Sequence, residues 1–267
     1  MVDSSFVRAA VRGVVAGAVS LLALLCASVA IAAESPLIAA ASDLRFALDE
    51  IAAQFERETG QGARIVYGSS GNFRRQIAEG APFELFLSAD EAYVLALVKE
   101  GHTVDTGVPY AIGRIALVVP AGSPLALDGE LRDLALAAGD GRVRKFALAN
   151  PEHAPYGRAA QEALTAVGAW DGLQGRLVFG ENVAQAAQFA TSGSAQGGIV
   201  ALSLAMAPGA LGTARFAAIP ERLHRPLIQR MVLTKRATAA AREFYRYMQQ
   251  PAARNVFRRY GFTLPGE

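Results

Sequence analysis

Of 267 residues, one is cysteine, one is tryptophan and three are histidine. The cysteine, Cys26, falls inside an apolar leader, so the mature chain is expected to carry no thiol and no disulfide, and to be held by core packing alone. His102, His153 and His224 stand far apart, and none has a histidine or cysteine at ligand spacing, which argues against a metal centre. Charge of one sign is lacking as well, with 26 Lys and Arg against 24 Asp and Glu. Without Arg8, Arg12 and Asp3 of the leader the balance is 24 to 23, which is no footprint for nucleic acid or another polyanion. Beyond the leader, no apolar run is long enough to span a bilayer.

The leader itself, residues 1–33, reads as an export signal. Arg8 and Arg12 form a positive start, Gly13 to Val29 is almost wholly apolar, and Ala30-Ile31-Ala32 supplies the small residues a signal peptidase reads. Cleavage near Ala32 or Ala33 is expected, which makes the mature protein an exported one. Leu25 before Cys26 argues against lipid attachment, which wants a small residue there. The remaining chain of about 235 residues suffices for two compact lobes of about 100 residues each.

Short apolar runs alternate with longer helical patterns. Strands are expected at Pro36 to Ala40, Arg64 to Val66, Leu85 to Leu87, Arg114 to Val119, Lys145 to Ala149, Arg176 to Phe179, Gly198 to Val200, Ala214 to Ala218 and Gln229 to Leu233. Helices are expected at Leu44 to Glu58, Phe73 to Glu79, Ala92 to Glu100, Gly157 to Val167, Ala184 to Thr191, Ala237 to Gln249 and Ala252 to Tyr260, the last stopped by Gly261. The order implies an α/β fold of βαβ units on mainly parallel sheets. Arg114 to Pro120 reads as the entry into a second lobe and Ile219-Pro220 as the return, dividing the chain into 34–112 with 220–267 and 113–219.

Four turns rich in Ser, Gly, Pro or Asn run straight into helices: Ala40 to Asp43, Tyr67 to Asn72, Pro151 to Gly157 and Gly180 to Val183. In such sheets ligands bind where strands end and helices begin. The first turn of a helix has unpaired N–H groups and partial positive charge, so several of them aimed at one point hold an oxyanion without Arg or Lys. The plainer role for Ser42 and Ser70 is that of helix N-caps.

At these residues the chain resembles the periplasmic molybdate-binding (ModA) proteins of ABC transporters. The resemblance is carried by Ala39 to Ser42, Gly68 to Gly71 with Arg75-Gln76-Ile77, Gly80 to Asp90, Asn150 to Gly157, Gly168 to Asp171, Gly198 to Val200 and Arg259 to Phe262. It implies a type II periplasmic-binding fold, two lobes joined by two crossover strands, and a monomer without cofactor that captures molybdate or tungstate and delivers it to a membrane ABC permease. The ligand residues it implies are Ser42 and Ser70, through hydroxyl and backbone N–H, and Tyr156 and Val183, through backbone N–H. A fully ionised oxyanion carries no proton, so a site built only of donors selects for it.

Two positions depart from the simplest form of such a site. Some members of the family place a tyrosine hydroxyl on the oxyanion just after the strand that holds Gly198 to Val200; here that place is Ala201, and the phenol of Tyr156 is expected to supply the missing donor, the alternative being that Tyr156 packs against the hinge and a water fills the gap. Asp43, beside Ser42, is expected to point away from the cleft, since a carboxylate facing it repels a dianion. Arg45, Arg74, Arg75 and Arg158 are expected on solvated faces. The alternatives are a binding protein for another oxyanion such as sulfate, or an exported serine hydrolase using Ser69 or Ser70 with His153. The second lacks the Gly-x-Ser-x-Gly elbow and any base that the sequence places beside the serine. Glu84 and Asp90 read as cap and lobe-contact residues rather than a paired acid and base.

Overall fold

The computed structural model describes residues 35–267; the leader read as an export signal lies outside the described residues. Strand β1 (Leu37–Ala41) is apolar throughout because both its faces are covered, and Ile38, Ala39 and Ala40 are fully buried. It pairs in parallel with β2 (Arg64–Gly68) and β3 (Leu85–Ser88). Beyond β3 lies β10 (Leu227–Leu233), antiparallel both to β3 and to β4 (Val108–Gly113). The first sheet is therefore ordered β2-β1-β3-β10-β4, and every strand but β10 runs the same way.

A second sheet repeats the pattern. Its order is β7-β6-β8-β5-β9, built from β5 (Ile115–Val119), β6 (Phe146–Ala149), β7 (Leu177–Gly180), β8 (Gly198–Ala201) and β9 (Arg215–Ala218). Here β5 alone runs against the rest. The chain passes between the sheets twice, from β4 to β5 through Arg114 alone, and from β9 to β10. In each sheet the reversed strand is the one reached directly after a crossing, so the two crossings form a hinge between two α/β lobes.

Helices cover both sheets. Helix α1 (Arg45–Thr59), entered through a 3₁₀ turn at Ser42–Leu44, buries Ala47, Leu48, Ile51 and Phe55 on one face. Phe55 packs edge-on against Phe244 of α9 (Ala239–Tyr247), with ring centroids 5.1 Å apart, and α10 (Pro251–Arg259) adds Phe257. Each such ring contributes about 1.5–3 kcal/mol by leaving water. The opposite face of the first sheet carries α2 (Ser70–Ala78) and α3 (Glu91–Lys99), with Phe73, Phe86 and Val94 at its core. The second sheet is covered by α4 (Arg132–Asp140), α5 (Pro155–Ala166), α6 (Trp170–Leu173), α7 (Val183–Thr191) and α8 (Leu202–Met206). After α10, Gly261 takes φ 80°, and Phe262 N–H reaches back to Phe257 C=O, the expected stop.

Strand β4 and helices α4, α6 and α8 have no counterpart among the expected elements. Pro109 and Gly113 disguise β4, which is the outermost strand of its sheet, where a residue without N–H is tolerated. Among the described residues no helix is long and apolar enough to cross a membrane.

Candidate functional site

The four turns meet at one place. Ser42 after β1, Ser70 at the start of α2, Tyr156 in the first turn of α5 and Val183 at the start of α7 line a single cavity, with Ser69 and Ala154 beside them. It lies between the strand ends of the two sheets and is small, about 10 Å³, near the lower limit for one water-sized body. All four residues are buried, Val183 most exposed at 4 %. Asp43 lines it too, and among the described residues no arginine or lysine does.

The two serine hydroxyls do not cap their own helices. Ser70 Oγ accepts from the backbone N–H of Ala89 at 3.0 Å, and Ser42 Oγ accepts from that of Ala184, across the cleft, at 3.3 Å. Neither 3₁₀ turn nor helix has a side-chain cap bond at this end. A hydroxyl has one proton, and here the oxygen is already used as an acceptor, so that proton is free to be donated. The cap role is thereby set aside.

Backbone donors complete the set. Ser70, Tyr156 and Val183 occupy first turns, where no carbonyl four residues earlier lies within the helix to receive their N–H. Pro155 begins α5 without an N–H of its own, which is the position where proline is tolerated best. Before α7 the side chain of Asn182 accepts from Ala184 and Gln185, and leaves Val183 N–H out. Three helix dipoles thus converge on a volume that contains no positive side chain.

Asp43 faces the hinge. Its carboxylate is 1 % exposed, and Oδ2 accepts from the Tyr156 hydroxyl at 2.9 Å and from Gln229 Nε2 at 2.6 Å, while Oδ1 has no partner. Gln229 in turn donates to the Tyr156 oxygen at 3.1 Å and accepts from Tyr110 at 2.7 Å, and Ser203 Oγ donates to Asp43 C=O at 2.8 Å. The carboxyl is pushed up to about 6, first by loss of water on burial; the bonds from Gln229 and Tyr156 oppose this and offset it only in part. Burial, then the Asp43 charge, raise the Tyr156 phenol well above its ordinary value. Asp43 was expected to point away from the cleft; it is one of the residues lining the cavity, and its Oδ2 is held by Tyr156 and Gln229 in a buried network rather than turned out to water.

That network overturns one expectation. The phenol of Tyr156 does not replace a donor absent at Ala201, because its single proton goes to Asp43, a carboxylate stripped of water and the strongest acceptor in reach. Gly113, the last residue of β4, makes room for it: a Cβ there would lie 2.2 Å from the Tyr156 hydroxyl oxygen. Ala201 is fully buried at the end of β8, paired with Ile115, and is not among the cavity residues.

A second arrangement joins the residues named for the hydrolase alternative. His153 stands beside Ser69, Nδ1 to Oγ 2.9 Å, with Glu181 Oε2 3.8 Å from Nε2, although the sequence itself placed no base beside either serine. Arg158 leaves the solvated role expected of it and pairs with Asp90 at 2.5 Å; Asp90 also caps α3 through Ala92 N–H, in keeping with a cap and lobe contact. Arg74 pairs with Glu100, and Arg75 with Asn72. Bonds from Gln229 to Asp43 and from Ser69 to His153 link residues 186 and 84 apart. No local pattern signals either one.

Known proteins share this architecture. A family model described as bacterial extracellular solute-binding protein matches residues 36–263. The molybdate-binding protein ModA of Azotobacter vinelandii is 36 % identical over 230 residues, 85 % of this chain and 89 % of that protein. ModA of Rhodobacter capsulatus is 34 % identical over 251 residues, 93 % of this chain and 96 % of that one. The solved periplasmic molybdate-binding protein of Azotobacter vinelandii superposes with a TM-score of 0.78 at 33 % identity, covering 86 % of this chain and all of its own. With its two α/β sheets joined by two crossings, the chain belongs to the bacterial extracellular solute-binding proteins, within the ModA molybdate-binding group.

Proposed function

We propose that the protein is an exported, monomeric binding protein that captures molybdate or tungstate in the cavity between its lobes and hands it to a membrane ABC permease. Lobe 1 comprises 34–112 with 220–267 and lobe 2 comprises 113–219; residues 1–33 are removed on export to the periplasm. Ser42 and Ser70 donate through hydroxyl and N–H, Tyr156 and Val183 through N–H. One observation carries this assignment: both hydroxyl oxygens already accept from backbone N–H groups, so each serine offers the cavity its proton. A dianion without a proton is matched by such a site, whereas hydrogen phosphate brings an O–H for which the donors supply no acceptor.

The contact between Ser69 and His153 favours the hydrolase alternative on geometry alone. Likeness favours binding instead: the relatives of this chain are solute-binding proteins, and neither Ser69 nor Ser70 stands in a Gly-x-Ser-x-Gly elbow. On this reading the protein is not an enzyme, and a Ser69→Ala variant and wild type give the same blank in an esterase assay.

The decisive experiment is titration of the mature protein with molybdate, tungstate, sulfate and phosphate, followed by calorimetry and melting temperature. Molybdate and tungstate are expected to stabilise it by about 2.7 kcal/mol at a hundredfold excess over the dissociation constant. Silence with both sinks the assignment. An equal response to phosphate refutes the donor-only account, and a response to sulfate alone moves the protein to another oxyanion.

A further inference from the structure

Gly71 is the second residue of α2, and nothing in its backbone calls for glycine: its φ is not in the left-handed region. Glycine in a helix is less favourable than alanine, so its presence asks for another reason. The reason visible here is the approach of the other lobe. A Cβ on Gly71 would lie 2.7 Å from the carbonyl oxygen of His153 and 3.0 Å from both its Cα and Cβ. The bare backbone instead donates Gly71 N–H to His153 C=O at 2.9 Å. His153 also meets Ser69 at 2.9 Å, and Asn72, one residue past Gly71, donates to Glu181, which stands beside the His153 ring. Every one of these contacts joins the turn after β2 in the first sheet to the loops after β6 and β7 in the second.

We infer that Gly71 and His153 are positioning residues that form the seam on which the lobes close, and that this seam governs how long the captured oxyanion stays. Ser70 lies between Ser69 and Gly71, and Tyr156 follows three residues after His153, so closing the seam sets the hydroxyl of one lobe against the N–H of the other. A side chain at position 71 acts as a wedge: it leaves each lobe intact and stops them short of contact. The seam contacts vanish when the lobes open, so they oppose release and leave the first encounter untouched. The inference rests on the cavity being the oxyanion site.

The test uses the full mature chain, molybdate as the probe, stopped-flow kinetics, and small-angle scattering with and without ligand. Gly71→Ala is expected to melt no lower than wild type when unliganded, since alanine suits a helix better, and yet to release molybdate at least tenfold faster with an unchanged association rate. Its scattering should fail to reach the liganded radius of wild type. The Ser69→Ala/His153→Ala double variant adds no bulk and keeps the backbone bond, and is expected to release molybdate a few times faster. Gly71→Ala with wild-type release, or the double variant with wild-type release should Gly71→Ala not fold, overturns the seam. Failure of wild type itself to bind molybdate is read separately and removes the ligand assignment, and this inference with it.

Discussion

Asp43→Asn offers a prediction whose size follows from the structure. The wild-type carboxyl titrates near 3.8 in the unfolded chain and at about 6 in the folded protein, where burial strips it of water. A raised acid pKa means that the native state holds its proton more tightly than the unfolded state does. Stability contributed by the proton is therefore present below about pH 4 and lost as pH rises to about 6. The gap corresponds to about 3 kcal/mol above pH 7 and about 0.5 kcal/mol at pH 4. Asparagine keeps an oxygen for the Tyr156 hydroxyl and Gln229 Nε2, and takes away the charge. At pH 7.5 the variant is accordingly expected to be more stable by up to about 3 kcal/mol, or roughly 6–12 °C in melting temperature for a chain of this size. At pH 4 the two should nearly coincide. Urea unfolding of both proteins from pH 4 to pH 8 checks this. A constant difference across that range, or an asparagine variant less stable at pH 7.5, would refute the idea that an ionised carboxylate is held in the hinge at a cost.

Other substitutions separate the roles of neighbouring groups. Ser42→Ala and Ser70→Ala each remove one bond to a charged ligand and are expected to weaken molybdate binding by about 1.5–3 kcal/mol, roughly ten- to 150-fold, in isothermal titration. Ser70→Ala also strands Ala89 N–H, so its unliganded stability should fall by about 1–3 kcal/mol. Tyr156→Phe leaves the backbone donor in place and should change affinity less than threefold, while denaturation shows a loss of about 1–3 kcal/mol from the bond to Asp43. Gly113→Ala sets a methyl against that phenol oxygen and should lose about 1–3 kcal/mol, part of it recovered in the Tyr156→Phe background; a double-mutant cycle measures the recovery.

The parts of this molecule that could be read from sequence are those set over short distances. Strands β1, β3, β6 and β8 are apolar runs buried on both faces, and their positions agree with expectation to within a residue or so at each end. The three helices that open at the cavity start earlier than expected, at Ser70 rather than Phe73, at Pro155 rather than Gly157 and at Val183 rather than Ala184. Serine, glycine and proline look like turn residues because they favour helix first turns as well as loops, and here they are the first turns. That shift is what puts Ser70, Tyr156 and Val183 among residues with unpaired N–H groups. The role of Gln229 and the bonds that gather Asp43 and Tyr156 around it were not legible, and the pairing of Ser69 with His153 could be named only as an alternative, because each depends on how the two sheets face one another.

One short segment ties these pieces together. Between β6 and α5, Asn150 folds the chain back on itself: its carbonyl accepts from Ala154 N–H at 2.9 Å and its side chain from Glu152 N–H at 3.0 Å, and prolines at 151 and 155 fix φ on either side. A loop pinned in this way carries its residues as one body. His153 then touches Gly71 and Ser69 on one side of the cavity, Tyr156 holds Asp43 on the hinge side, and the Tyr156 N–H lies in the first helical turn between them. A displacement at either contact moves that N–H with it. On the proposed site, selection of a small ion therefore depends on the fit between two lobes as much as on the donors themselves, since a few tenths of an ångström decide whether a bond to an oxyanion forms.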